Sequence, residues 1–283
     1  MEIFNEINEL NVKINNLTLH VMIIGEGKPL ILLHGFPDFW YGWKSVIPEL
    51  KDKFKLIIPD MRGYNLSDKP EGTQNYKINH LIDDIKGLIE FFDLKKPFIA
   101  GHDWGGIVAW VFAEKYPDIV QKLIILNSPH PKIFNRLLKT NKAQQKASSY
   151  IFQFHKSGGE QFLFKNDYKW LKSALFGSLI DKKALDDFDM EQYINAWSQP
   201  NALISGVNYY KANPNFDDFS GVIKVPTLVI HGMNDLALLP VILEGLENFV
   251  ENVTIIKVPN SSHWVLHEQP HLVSTKIINF LED

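Results

Sequence analysis

The sequence has no cysteine among its 283 residues, which excludes disulfide bonds, thiolate metal sites and cysteine nucleophiles. Long apolar runs are also missing: LILL at 30–33 and LIIL at 123–126 are far too short to span a bilayer. The opening segment, MEIFNEINEL, is acidic and polar, without the basic and then apolar order of a signal peptide. We therefore expect a cytoplasmic protein with no membrane partner.

An excess of basic charge is absent as well. The chain has 29 Lys and Arg against 33 Asp and Glu, a net charge of −4, and no basic stripe of the kind that nucleic-acid-binding proteins show. We expect no nucleic-acid partner. With 45% hydrophobic and 22% charged residues, the composition is typical of a globular protein. The length fits one large α/β domain, or such a domain with an inserted lobe.

Six short apolar runs bounded by turn residues predict strands that are buried on both faces, as in a parallel sheet covered by helices. They are PLILLHG (29–35), FKLIIPD (54–60), PFIAGHD (97–103), VQKLIILNSP (120–129), VPTLVIHG (225–232) and VTIIKVP (253–259). Residues 12–27 instead predict an antiparallel hairpin with a turn at Asn15–Asn16. Helical patterns over 79–93 and 104–117 lie between the strands.

Alternating strands and helices predict an α/β fold with a mostly parallel, doubly wound sheet. The alternation breaks between residues 130 and 220, where the sequence is helical, rich in aromatic residues and without a convincing strand. We interpret this stretch as a helical lid (cap) domain over the carboxyl ends of the strands. The predicted division is a core of residues 1–129 and 221–283, interrupted by a cap of residues 130–220.

The hexapeptide GHDWGG (101–106) follows one predicted strand and precedes a helix. This is the context of a nucleophile elbow, G-x-S-x-G, with Asp103 in place of the serine. Gly101 and Gly105 fit because such a sharp turn crowds the backbone. The alternative is a glycine-rich turn in which Asp103 only caps the helix.

A second turn, His34-Gly35-Phe36-Pro37, follows the strand at 29–33. In a fold of this kind that loop supplies one amide of an oxyanion hole. We predict that the backbone N–H groups of Phe36 and Trp104 face the developing oxyanion, and that Pro37 is cis. The alternative is an ordinary turn.

Two more polar residues follow strands: Asp235 in HGMND (231–235) and His263 in SSHW (261–264). The order nucleophile, acid, histidine is that of an α/β-hydrolase triad. Nearby, HEQPH (267–271) matches the zinc motif H-E-x-x-H only in letters, because Pro270 would interrupt the helix that the motif needs. We expect no metal, and place Pro270 at the start of the last helix.

An aspartate nucleophile attacks saturated carbon and forms an alkyl ester, which water then cleaves. His263 would be the base for that water, and Asp235 would orient its imidazole. The site therefore indicates hydrolysis of an epoxide or of a carbon–halogen bond.

Over nearly the whole chain the sequence resembles the soluble epoxide hydrolases of the α/β-hydrolase superfamily. The resemblance rests on HGFPDFWYGW (34–43), PDMRGYNLSDKP (59–70), GHDWGG, HGMNDLALLP (231–240) and SSHWVLHEQP (261–270). It implies that two cap tyrosines, Tyr150 and Tyr210, donate hydrogen bonds to the epoxide oxygen. Tyr209 is an alternative for the second, and simple packing is an alternative for both.

The hypothesis is a cofactor-free epoxide hydrolase acting on a small apolar epoxide and water, as a monomer or homodimer. Possible pocket walls are Phe39, Trp40, Phe152 and Trp197. A haloalkane dehalogenase using the same triad is the main alternative, since its members often share the tryptophan after the nucleophile. Phe36, where many dehalogenases have Asn, favours the epoxide. A non-catalytic ligand-binding protein is the third possibility, and Asp103 argues against it.

Overall fold

An eight-stranded sheet forms the centre of the protein, whose computed structural model describes residues 6–216 and 219–283. The strands are β1 (Asn8–Ile14), β2 (Leu17–Ile24), β3 (Lys28–Leu33), β4 (Phe54–Pro59), β5 (Phe98–His102), β6 (Leu123–Leu126), β7 (Thr227–Gly232) and β8 (Val253–Val258). In space they follow the order β1-β2-β4-β3-β5-β6-β7-β8. The β1–β2 and β2–β4 pairs are antiparallel and the rest are parallel, so the predicted sheet is confirmed.

The predicted hairpin is also confirmed. Asn15 and Asn16 form its two-residue turn, with φ of 48° and 61°. Both angles lie in the left-handed region, which asparagine tolerates better than most residues. The turn brings Ile14 opposite Leu17 and sets the register of the hairpin.

Helices cover the two faces of the sheet. They are α1 (Ile47–Leu50), α2 (Ile78–Phe91), α3 (Trp104–Lys115), α4 (Pro131–Thr140), α5 (Lys142–Ala147), α6 (Ser149–Phe154), α7 (Lys169–Lys172), α8 (Asp187–Trp197), α9 (Ala202–Ala212), α10 (Val265–Glu268) and α11 (Pro270–Glu282). Alternate residues of one strand enter different cores: Ile31 and Leu33 pack with α2 and α3, whereas Leu30 and Leu32 pack with α1 and α11. This two-sided burial explains why the strands are apolar without alternation.

The strand β8 departs from the prediction of burial on both faces. Thr254 and Lys257 are exposed, and β8 pairs only with β7. It is one of the two edge strands of the sheet, so the helices on either face do not fully cover it.

Six helices, α4 to α9, lie between β6 and β7, which are neighbours in the sheet. Residues 131–216 contain no strand, in line with the predicted helical stretch. We call α4 to α9 the inserted helices. Among residues 6–216 and 219–283, no helix combines the length and apolar character that crossing a membrane requires.

Candidate active site

Asp103 lies at the sharp turn between β5 and α3. Its φ of 51° is unusual for a residue other than glycine, and its side chain is buried. A Cβ atom on Gly105 would come within 2.2 Å of the carbonyl oxygen of Leu33, so only glycine fits there. The strand–turn–helix context predicted from GHDWGG is confirmed.

Backbone amides hold the Asp103 carboxylate in place. The N–H of Phe36 donates to Oδ1 at 2.8 Å, and the N–H of Trp104 also donates to the carboxylate. Phe36 follows β3, which pairs with β5, and the Phe36–Pro37 peptide bond is cis as predicted. A Cβ atom on Gly35 would approach Oδ1 to 2.3 Å, so the absence of a side chain there leaves room for the carboxylate.

The other carboxylate oxygen faces His263. The Nε2 atom of His263 lies 3.7 Å from Oδ2 of Asp103, and its Nδ1 atom lies 2.7 Å from Oδ2 of Asp235. The backbone N–H groups of Ala237 and Leu238 donate to the second oxygen of Asp235 at 2.8 and 2.9 Å. The structure thus brings together all three residues of the predicted triad at the carboxyl ends of three strands.

Asn127 is a member of this group that the sequence analysis missed. It directly follows β6, with φ of 38°, and is fully buried. Its side chain donates to Oδ2 of Asp235 at 2.8 Å and accepts from the N–H of Gly232 at 3.1 Å. The signal in the sequence was its position: like Asp103, it is a polar residue directly after an apolar strand.

Burial and neighbouring charges together shift the pKa values of Asp235, His263 and Asp103. Burial opposes ionisation of Asp235, but the positive charge and hydrogen bond of His263 outweigh it and lower the pKa to about 2. Burial would lower the pKa of His263, but Asp235 and Asp103 raise it to about 9. Burial also raises the pKa of Asp103 above its usual value, against His263 and the two amides. At neutral pH, His263 is therefore a cation, and it lies between the carboxyl groups of Asp103 and Asp235.

Tyr150 of α6 and Tyr210 of α9 face each other above Asp103. Their ring centroids are 6.0 Å apart at an interplanar angle of 82°. Burial, followed by the charge of Asp103 and other nearby groups, raises both pKa values well above the ordinary value of 10. Both phenols remain protonated at neutral pH and can donate hydrogen bonds.

Tyr209, the alternative to Tyr210, has a different environment. Its hydroxyl group donates to the carbonyl oxygen of Arg62 at 2.8 Å, and its ring contacts Tyr64 and Tyr76. It anchors α9 to the loop after β4, whereas the next residue along the helix faces the site.

Two cavities meet at Asp103, Tyr150 and Tyr210. The larger has a volume of about 290 Å³ and extends between Phe36, Trp170, Leu236 and Trp264. The smaller, of about 50 Å³, extends between Ile107, Phe134, Leu138 and Phe216. Apolar side chains dominate both, which suits an apolar ligand with a part on either side of Asp103.

The four residues expected as pocket walls lie outside these two cavities. Phe39 stacks on Tyr41, with Trp40 edge-on to both, and the indole of Trp197 donates to the carbonyl oxygen of Pro37 at 2.7 Å. Phe152 is half exposed, because on α6 it points away from Phe154, which is buried. Aromatic composition indicated an apolar lid but not which face of each element turns inward.

The residues that match H-E-x-x-H lie on two different helices. His267 and Glu268 end α10, and Pro270 begins α11 as predicted, so His271 is exposed beside Glu49. Within residues 6–216 and 219–283, no group of three or more His, Asp and Glu is arranged to hold a metal ion.

Comparisons with known proteins agree with this geometry. Residues 28–270 match the alpha/beta hydrolase fold family. The chain is 41% identical to an AB hydrolase superfamily protein, YfhM, of Bacillus subtilis, over 96% of this chain and 97% of that one. It is 38% identical to Epoxide hydrolase 4 of Homo sapiens, over 97% of this chain and 78% of the relative.

A solved structure is also similar to this chain over nearly its whole length. It is a variant of an epoxide hydrolase from Bacillus megaterium in complex with its product, a naphthyloxy-propane-diol. The TM-score is 0.90 at 34% identity, covering 98% of this chain and all of the other.

Proposed function

This chain belongs to the epoxide hydrolase family of the α/β-hydrolase fold, and on that premise we propose that it converts an apolar epoxide into a vicinal diol. The observation that carries the proposal is that the two oxygens of the Asp103 carboxylate have different environments. Oδ1 accepts from the N–H of Phe36, and the N–H of Trp104 also binds the carboxylate, while Oδ2 lies 3.7 Å from Nε2 of His263. Asp103 lines both cavities. A carboxylate held in this way is directed at a substrate carbon.

In the first step, Oδ2 of Asp103 attacks one carbon of the epoxide and the ring C–O bond breaks. Tyr150 and Tyr210 donate to the epoxide oxygen, and one of the two transfers its proton to it. The product of this step is a hydroxyalkyl ester of Asp103. Since both phenols are protonated and line the cavities together with Asp103, they are suited to this role.

Before the second step, His263 gives up its proton, which returns through solvent to the tyrosinate that the first step left, so the imidazole becomes neutral. In the second step, His263 takes a proton from water, and the oxygen of that water attacks Cγ of the ester. The negative charge that develops on Oδ1 is stabilised by the amides of Phe36 and Trp104. Collapse of the intermediate releases the diol with the former Oδ2, which takes the proton from His263. The carboxylic acid of Asp103 then transfers its own proton to His263, and the resting ion pair is restored. Asp235, held by Asn127, orients the imidazole throughout.

The dehalogenase alternative gains no support from the relatives. A dehalogenase would use the indole N–H of Trp104 to hold the leaving halide. Here the ring of Trp104 packs edge-on against Tyr210, with centroids 5.1 Å apart at an angle of 89°, so it takes part in the tyrosine arrangement. We also propose that the inserted helices act as the cap, with residues 130–220 as that domain and residues 1–129 and 221–283 as the core.

The test compares the wild-type protein with Asp103→Asn on an aryl epoxide and on a bromoalkane, measuring diol and bromide in the same reactions. We expect diol from the wild type only, and no bromide. Loss of activity in the variant by at least about 10³-fold would identify the nucleophile. Bromide without diol would contradict the proposal and reassign both tyrosines to packing.

A further inference from the structure

The loop that carries His263 is attached on both sides of the histidine to the segment between α7 and α8, on one side directly and on the other through Glu268. On one side, the indole N–H of Trp264 donates to the carbonyl oxygen of Ala174 at 3.0 Å and to Oγ of Ser178 at 2.9 Å. On the other side, Ser261 and Ser262 bind the carboxylate of Glu268. The histidine therefore lies in a segment whose position depends on the inserted helices.

Glu268 links the two parts through both of its oxygens. Oε2 accepts from Oγ of Ser261 at 2.7 Å and from the N–H of Ser262 at 2.6 Å. Oε1 accepts from the N–H of Ile180 and, at 3.3 Å, from the N–H of Asp181, both in the turn between α7 and α8. Because four donors converge on a side chain that is 6% exposed, Glu268 is held in one position.

The neighbouring residue makes a parallel link. Nε2 of His267 lies 3.2 Å from the hydroxyl group of Tyr193 on α8, and Nδ1 lies 3.2 Å from Oγ of Ser45 in the core. The dipeptide His267-Glu268, which is not a zinc motif, thus connects core and inserted helices at two adjacent points.

The tyrosine-bearing helices have attachments of their own. On α9, Ser205 accepts from the hydroxyl group of Tyr76 at 2.8 Å, and Asn213 after α9 accepts from the N–H of Ile78 at 2.7 Å. Before α6, Gln144 donates to the carbonyl oxygen of Ala237 at 2.7 Å. Loss of the Glu268 contacts therefore leaves Tyr150 and Tyr210 in place.

From these contacts we infer that Glu268 is a positioning residue for His263, acting on the hydrolysis of the ester rather than on its formation. The inference rests on the proposed function, in which the histidine is the base for water in a second step. Displacement of the base by about 1 Å slows such a step by roughly 100-fold. The attack by Asp103 does not depend on the loop of residues 261–264, since its carboxylate is held by Phe36 and Trp104.

The experiment measures formation and decay of the ester separately, by rapid quench and intact-protein mass spectrometry after mixing with an aryl epoxide. In Glu268→Gln we expect decay to slow by about 10- to 100-fold, corresponding to the loss of a charged hydrogen bond, with formation within about threefold of wild type. The ester then accumulates in the steady state.

Glu114→Gln is the matched control. Glu114 on α3 also binds the backbone next to the inserted helices, accepting from Oγ of Ser220 and from the N–H of Gly221 at 2.9 Å. It lies outside the loop of His263, so both rate constants should remain as in the wild type.

A milder variant, Ser261→Ala, removes one of the four donors and should slow decay by about 3- to 10-fold without affecting formation. If Glu268→Gln does not fold, the same measurement on Ser261→Ala tests the inference. Equal slowing of both steps, or no change in decay, would overturn the inference. A wild-type protein that forms neither ester nor diol would instead contradict the proposed function.

Discussion

Asp103 and His263 are a pair whose charges change during the proposed reaction. Asp103 is one of the groups that raise the pKa of His263 to about 9 in the resting site. Once Asp103 becomes a neutral ester, that contribution disappears and the pKa of His263 falls. The first step therefore prepares the histidine to act as a base in the second.

This coupling predicts a pH dependence for ester hydrolysis. The step needs neutral His263, so its rate should rise with pH and level off above a midpoint lower than 9, the resting value. Single-turnover measurements from about pH 6 to pH 9 would show it. A rate that falls with increasing pH would contradict the role of His263 as a base.

Two adjacent tyrosines on α9 differ in their surroundings: one lies at the candidate site and the other packs against the core. Tyr210 and Tyr209 on α9 differ by about 100° around the helix axis, so one faces the cavities and the other faces Arg62. The sequence alone left both tyrosines as candidates. The choice between them depends on how α9 is rotated about its axis relative to the core.

We expect Tyr210→Phe to slow ester formation by about 100-fold, because a proton donor to the epoxide oxygen is lost. Tyr209→Phe serves as its control. It should keep the rate within a few-fold and lower the free energy of unfolding by about 1 kcal/mol, since one buried hydrogen bond is lost. Rapid quench and thermal unfolding distinguish the two. Equal activity of both variants would remove Tyr210 from the mechanism.

Elements of regular pattern were predictable from the sequence, and contacts between distant segments were not. The apolar runs of β3 to β7 and the turn at Asn15–Asn16 depend on local chemistry. The link from Asn127 to Asp235 joins residues 108 positions apart, and the link from Glu268 to Ile180 joins residues 88 apart. Such pairs follow from strand order and from the path of the inserted helices, which periodicity does not encode.

At the scale of the whole molecule, a buried charge fastens the inserted helices to the core. Asp189 of α8 accepts from the hydroxyl group of Tyr41 at 2.8 Å and forms an ion pair with Lys44. It also accepts from the N–H of Asp186 at 2.9 Å, within a capping box that begins the helix. The same carboxylate therefore caps the start of α8 and binds this helix to the core.

Asp189→Asn should destabilise the protein by about 2 kcal/mol, because charged hydrogen bonds from the core become weaker ones. The melting temperature should fall by roughly 4–8 °C. Asp187→Asn, an exposed neighbour on the same helix, should change it little. Equal melting temperatures for the two variants would show that Asp189 does not hold the inserted helices.

The insertion between β6 and β7 has a consequence for synthesis on the ribosome. About 100 residues separate these neighbouring strands, so the apolar edge of β6 has no partner until the whole insertion has been translated. At roughly 5–20 residues per second, this takes about 5–20 s. During that time the nascent chain presents an unpaired strand edge, a recognised aggregation hazard, which makes it a natural client for chaperones that bind at the exit tunnel.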